Sequence, residues 1–171
     1  TQMLERLPAT VILMGTSMLL GFLIAIVLGL YSGKNKNGIL DKITSLFCYV
    51  GISIPTFWFG IMLIYLFSVH LHILPSIGMH SDGDRSFVDL VLHMVMPCAV
   101  LTFANASQYI RYLRSSTITE MSSDYVMVQK AYGMKESGIL FRHVLKNAML
   151  PMITVLGMSL QSLVSGAIIK E

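Results

Sequence analysis

Four histidines, His70, His72, His80 and His93, fall within one part of the sequence, and imidazole is a ligand for nickel, copper and zinc. The metal signal is thin. His70-x-His72 is only a pair, and no Cys or Glu stands beside it to complete a site, so interfacial loop histidines are expected and no metal ligand is assigned. His93 and Asp89 lie one helical turn apart, as a base and its orienting carboxylate would, but no Ser partners them as a nucleophile. No catalytic residue is assigned and the chain is not expected to be an enzyme. Gly29-Leu-Tyr-Ser-Gly33-Lys34-Asn35 approaches the phosphate-binding pattern G-x-x-x-x-G-K-[ST], yet its first Gly comes one residue late and Asn35 replaces Ser/Thr. Gly29 and Gly33 form a G-x-x-x-G instead, the mark of two helices in close approach. Cys48 and Cys98 are too few for a disulfide framework and read as small apolar fillers.

What remains is a set of uncharged polar residues in apolar surroundings. Ser53 and Pro55 sit together. Thr102, Asn105 and Tyr109 share one helical face, and so do Thr154, Gln161 and Ser165. Such groups either line a path for a polar solute or hydrogen-bond between helices, and spacing alone leaves both uses open. A path walled by small neutral groups suits a solute read through its backbone, such as a peptide. No ionisable residue lies deep among them, which argues against an ion or proton relay.

The elements that must carry these residues follow from where charge is absent. Of the 171 residues, 54% are hydrophobic and 12% are charged, against about 25% charged in an ordinary soluble domain. A net charge of +3 is no basic footprint for nucleic acid. Four stretches carry no charge at all: 7–33, 43–81, 90–110 and 147–169. Each is long enough for the roughly 20 apolar residues that cross about 30 Å of hydrocarbon. The runs are continuously apolar rather than alternating, so they are helices and not barrel strands. Spans are expected at about 9–31, 44–69, 89–112 and 147–169. The first is too long for a signal peptide and has no basic leader before it. The segment 34–42 is basic, 82–89 acidic and 111–146 basic, so the positive-inside rule puts the first and third inside and an outer loop at about 70–88.

The inner segment 113–146 is too long for a connector. Ser122 and Ser123 can cap a helix whose first turn holds Asp124, and Gly133 suits its end. A second helix, from Glu136 to Asn147, carries Leu140, Phe141, Val144, Leu145 and Ala148 as an apolar stripe, with Arg142, His143 and Lys146 along a basic edge. Pro151 opens the next span, where a missing N–H costs little. On physical grounds the pair either lies on anionic lipid or docks a partner.

The stretch Asp124-Tyr-Val-Met-Val-Gln-Lys-Ala-Tyr-Gly133, followed by Phe141-Arg-His-Val-Leu-Lys-Asn-Ala-Met-Leu-Pro151, resembles the EAA loop of ABC-importer permeases, in particular the peptide/nickel family. Arg6-Leu-Pro-Ala-Thr10, Gly51-Ile-Ser-Ile-Pro-Thr-Phe-Trp58, and Leu74-Pro75 with Gly78 agree with it, so the resemblance covers nearly the whole chain. It departs where Glu-Ala-Ala would stand, at Met127, Val128 and Gln129, and at Tyr132, where Lys is common.

The resemblance implies an all-α polytopic bundle, a single permease domain over 1–171 of the type I ABC importer kind, with four spans of an expected six. It implies a membrane subunit of a bacterial plasma-membrane importer that forms half of a translocation path for di- or oligopeptides, or alternatively for nickel or a metal chelate. The implied partners are a second related permease, two cytoplasmic ATPase subunits and an extracytoplasmic solute-binding protein, besides membrane lipid. No cofactor is expected on this chain, and ATP and Mg would bind the ATPases. Segment 113–146 would be the coupling loop, with Asp124, Tyr125, Gln129, Ala131, Gly133 and Met134 at the ATPase contact. Arg142 and Lys146 would meet acidic groups of the ATPase or lipid phosphates. The polar faces named above would line the path.

Overall fold

The computed structural model describes residues 2–78 and 86–168, with side chains over 10–78 and 86–159. His80, Lys170 and Glu171 lie outside the described residues, as do the side chains of Gln161 and Ser165. The described residues are mostly helical, with no strand among them. In order they are α1 (Gln2–Lys34), α2 (Ile39–Ser53), α3 (Thr56–Leu63, continued by a π-helical stretch Ile64–His70), α4 (Phe87–Met121), α5 (Asp124–Ala131), α6 (Glu136–Ile139), a π-helical turn Leu140–Val144, α7 (Leu145–Ala148) and α8 (Leu150–Ile168).

Helices α1 and α4 form the spine, and among the described residues they are the two unbroken helices long and apolar enough to cross a membrane. They run parallel. Thr16 Oγ1 lies 3.8 Å from Cys98 Sγ near the start, and Gly33 meets Thr117 at the far end. Their approach is set by glycine. A Cβ on Gly29 would lie 3.0 Å from Cβ of Leu113, and one on Gly33 would lie 2.6 Å from Cβ of Thr117. The Gly29-x-x-x-Gly33 spacing thus does what it suggests, letting the α4 ridge sit in a groove of α1. Around this seam Ala25, Leu30, Ala106, Ile110 and Leu113 are buried, and α5 to α8 add Val126, Ile139, Leu140, Val144, Ala148 and Met152 to the same core. Much of the remaining apolar surface, such as Leu19, Leu23 and Val27 of α1, stays exposed on the isolated chain. That is a surface suited to lipid or protein rather than to water.

The helix limits differ from the sequence expectation in several places. The expected helix at 44–69 is divided at Ile54–Pro55, where α2 and the α3 stretch are bent by 98°. Proline lacks the N–H that would continue the ladder and drives the residue before it into extended backbone; Ile54 sits at φ −81°, ψ 123°. The helix expected to end at 112 runs on to Met121. Residues 113–121 are polar enough to leave the bilayer, yet Leu113 and Thr117 stay packed on α1 and hold the extension in place. A milder bend of 42° separates the segment ending at Ala148 from α8.

Candidate functional site

The segment after α4 builds the most distinctive surface of the chain. Ser122 and Ser123 close α4, their hydroxyls donating to the carbonyls of Thr119 (2.8 Å) and Glu120 (2.6 Å). Ser123 is also the N-cap residue of α5, but its side chain is turned back to α4 and makes no cap bond. Asp124 in the first turn and Lys130 in the last complement the helix dipole.

The end of α5 depends on Gly133, which sits at φ +78°. Gly133 N–H donates to Lys130 O (3.0 Å), and Met134 N–H donates to Gln129 O (3.1 Å). This pair of bonds is the Schellman closure, which needs a left-handed residue at the turn and so favours glycine. A Cβ there would meet nothing within 4 Å, so the requirement is for backbone conformation and not for space.

Helix α5 has an inner and an outer side. Val126 is buried in the core, and Gln129 has its Oε1 buried without a hydrogen-bond partner among the described residues. Met127, Val128, Tyr132 and Met134 are exposed, Tyr132 at 84%. Asp124, Ala131 and Gly133 are exposed with them, while Tyr125 is half-buried.

Polar contacts tie this surface to the spine. Tyr125 Oη donates to Glu120 Oε2 (2.6 Å), which also accepts from Asn147 Nδ2 (3.2 Å). Burial, and then the carboxylate of Glu120, push the Tyr125 phenol above its ordinary pKa. Glu136 bridges Lys34 at the end of α1 (3.2 Å) and Lys130 of α5 (3.5 Å). The hydrogen bond from Lys34 holds the Glu136 carboxyl below its usual range. Tyr31 and Phe141 stack edge to face with centroids 6.2 Å apart. Arg142 and Lys146 are exposed.

One further fixture was not evident from sequence. Asp41 is 2% exposed and accepts from the Ser32 hydroxyl, from the Asn37 N–H (2.8 Å) and from both Nε and Nη2 of Arg114, the latter at 2.8 Å. It pins the ends of α1, α2 and α4 together beside the α5 surface. The pair is 73 residues apart in sequence, and the only hint of it was a lone acid in a basic segment.

The polar residues of the spans separate by position. Ser53 and Pro55 are exposed at the elbow between α2 and α3, and Thr154 is exposed on α8. Thr102 faces α1 and donates to Ser17 O (3.4 Å), Asn105 lies against Gly21, and Tyr109 is fully buried in the shared core. In this chain those three are occupied by helix packing. Asp89 and His93 are both buried, with His93 Nδ1 3.3 Å from Asp89 Oδ1 and 2.8 Å from the Asp89 carbonyl. Among the described residues no three His, Cys, Asp or Glu side chains converge as metal ligands.

Residues 25–171 match a protein family described as binding-protein-dependent transport system inner membrane component. Over 98% of its length the chain is 34% identical to the oligopeptide transport system permease protein AppB of Bacillus subtilis, of which it covers 54%. It is 30% identical to the dipeptide transport system permease protein DppB of Escherichia coli K12, with 99% of this chain and 57% of that protein aligned. The dipeptide permease DppB of Lactococcus lactis is 29% identical over the whole chain and 54% of its own length. The chain thus spans about half the length of the relatives it matches.

Proposed function

This chain belongs to the family of inner membrane components of binding-protein-dependent transport systems, and on that premise we propose that it is the membrane subunit of an ATP-driven peptide importer. In this reading residues 1–171 are one permease domain. Its spans lie at about 9–31, 44–69, 89–112 and 147–169, an outer loop at about 70–88, and a cytoplasmic coupling loop at about 113–146. The whole protein sits in the bacterial plasma membrane and forms half of the path for di- or oligopeptides. A second, related permease forms the other half. ATP and Mg bind two separate cytoplasmic ATPases, and a solute-binding protein delivers cargo from outside. The names of the relatives favour peptide over nickel or a metal chelate.

The observation that carries the coupling role is the build of α5. A two-turn helix is closed by a left-handed glycine, held to the core by Val126 and bonded to α1 through Glu136, yet it turns Met127, Val128 and Tyr132 outward. Exposed apolar residues on a rigidly mounted helix suit insertion into a cleft of a partner. The ATPase contact then comprises Asp124, Tyr125, Gln129, Ala131, Gly133 and Met134, with Arg142 and Lys146 flanking it. Movement of the cleft between ATP-bound and free states is passed to α4 through Tyr125–Glu120 and to α1 through Glu136–Lys34. The two states must differ in how they hold α5 for ATP to do work on the spans. Within the path, Ser53, Pro55 and Thr154 are the exposed polar positions, followed along α8 by Gln161 and Ser165. Thr102, Asn105 and Tyr109 join the path only if α4 turns or parts from α1.

The test is replacement of Gly133 by Val in the assembled importer. A β-branched residue at φ +78° opens the Schellman turn, and uptake per ATP hydrolysed should fall while the protein still inserts. Uptake and hydrolysis coupled as in the wild type would remove α5 from the mechanism.

A further inference from the structure

Among the cavities along α4, three that differ in their chemistry stand out. The largest, about 630 Å³, runs between α1 and α4 and is walled by apolar side chains such as Leu20, Phe47 and Val95. A second, about 460 Å³, holds Phe57, Met96 and Pro97, with His93 at one side. The third, also about 460 Å³, lies in the elbow between α2 and α3, and it is the one rich in donors. Pro55 and Thr56 form one wall, and Gln108, Arg111 and Tyr112 form the other.

Arg111 is the group in this cavity that needs explaining. Its guanidinium is charged at every accessible pH. Three residues on, Arg114 is saturated by Asp41, whereas among the described residues no carboxylate pairs with Arg111. Gln108 lies one turn before it on the same face. Ala106, Leu113 and Thr117 meet the glycines of α1, and 108 and 111 lie about 140° to 200° round the helix from 106 and 113. The cavity therefore opens on the side of α4 turned away from the spine, beside the exposed Ser53 and Pro55 of the elbow. A forked cation, an amide and two hydroxyls supply many N–H and O–H donors, and among the described residues no acidic group lines the cavity to compete for them.

We propose that the elbow cavity binds an oxyanion, the carboxylate of the transported peptide, with Arg111 gripping it and Gln108 beside it. This rests on the peptide-importer reading above. An oxyanion could also come from a lipid phosphate, and the experiment separates the two sources. The assembled importer with its binding protein is reconstituted in vesicles, and uptake of a peptide with a free C-terminal carboxylate is compared with uptake of its amide. Each importer's acid-to-amide ratio is then divided by the wild-type ratio. The preference of the binding protein cancels, and so does the amount of importer in each preparation.

Arg111→Gln should lower the ratio about fivefold to tenfold, as expected for loss of a partly solvated charge-assisted contact. Arg111→Lys, which keeps the charge without the fork, should lie between. Gln108→Ala should also lower it, and together with Arg111→Lys it keeps the question answerable if Arg111→Gln does not assemble. A ratio equal to the wild type in these variants, with acid and amide uptake falling together in vesicles of anionic lipid, would assign Arg111 to lipid phosphate and overturn the proposal. A wild-type importer that moves neither peptide would instead remove the peptide reading itself, and this inference with it.

Discussion

Gly33 gives the sharpest structural prediction, because another glycine on the same helix, Gly15, serves as its control. A Cβ on Gly33 would fall 2.6 Å from Cβ and 2.8 Å from Cγ2 of Thr117, and 3.0 Å from the carbonyl oxygen of Arg114. Non-bonded carbons rest at about 3.5–4.0 Å, so the shortfall is close to 1 Å. It is taken against backbone and a Cβ, neither of which can swing aside, and α1 and α4 must part. Overpacking of this kind costs about 1–3 kcal/mol. A Cβ on Gly15 would meet nothing within 4 Å. Both positions gain the same helix preference on going to alanine, about 0.5–1 kcal/mol, so it cancels in the comparison. Gly33→Ala should therefore be about 1–3 kcal/mol less stable than Gly15→Ala, measured by unfolding the purified complex in mixed detergent micelles. In a Thr117→Gly background most of that difference should vanish, since the colliding side chain is gone. Equal stability of the two alanine variants would mean that α1 and α4 are not packed through these glycines.

Two other contacts make separate predictions. Asp41→Asn leaves the Arg114 guanidinium without its carboxylate and should cost about 2–4 kcal/mol in the same unfolding assay; the double variant with Arg114→Gln should cost less than the sum of the singles. Glu136→Gln should leave global stability nearly unchanged but loosen α5, read as faster proteolysis within 113–146. Because Lys34 lowers the Glu136 pKa, its ion pair is present above the ordinary carboxyl value of about 4.3 and is lost as pH falls through the lowered one. Wild type and variant should differ at neutral pH and converge only in acid.

The parts legible in the sequence were those that local rules determine. Continuous apolar runs had to be helices, Gly29-x-x-x-Gly33 had to mark close packing, and Gly133 had to close a helix, because no other residue type serves as well in those settings. The extent of α4 was hidden because 113–121 is polar, and it is tertiary contacts, of Leu113 and Thr117 with the glycines of α1 and of Arg114 with Asp41, that show why it stays helical. Pro55 interrupts the second apolar run by a local rule, but neither the 98° of the bend nor the close approach of Gly51 to α4, where a Cβ would come within 2.7 Å of Ser107 Cβ, follows from local spacing. The Asp41–Arg114 pair and the Lys34–Glu136 bridge join distant segments, which no spacing rule reaches. Thr102 and Asn105 show the limit of reading a face: both turn toward α1 in this chain, a neighbour that spacing does not name.

The most direct test of the account asks what touches α5. With Cys48 and Cys98 replaced by Ala, single cysteines at Met127, Val128 or Tyr132 in the assembled importer should cross-link to an ATPase subunit, and the yield should change when ATP is bound. A cysteine at Ile77, exposed in the expected outer loop, should give no such product. ATPase adducts absent from all three α5 positions while the complex is intact, or formed equally from Ile77, would contradict the coupling role assigned to this helix.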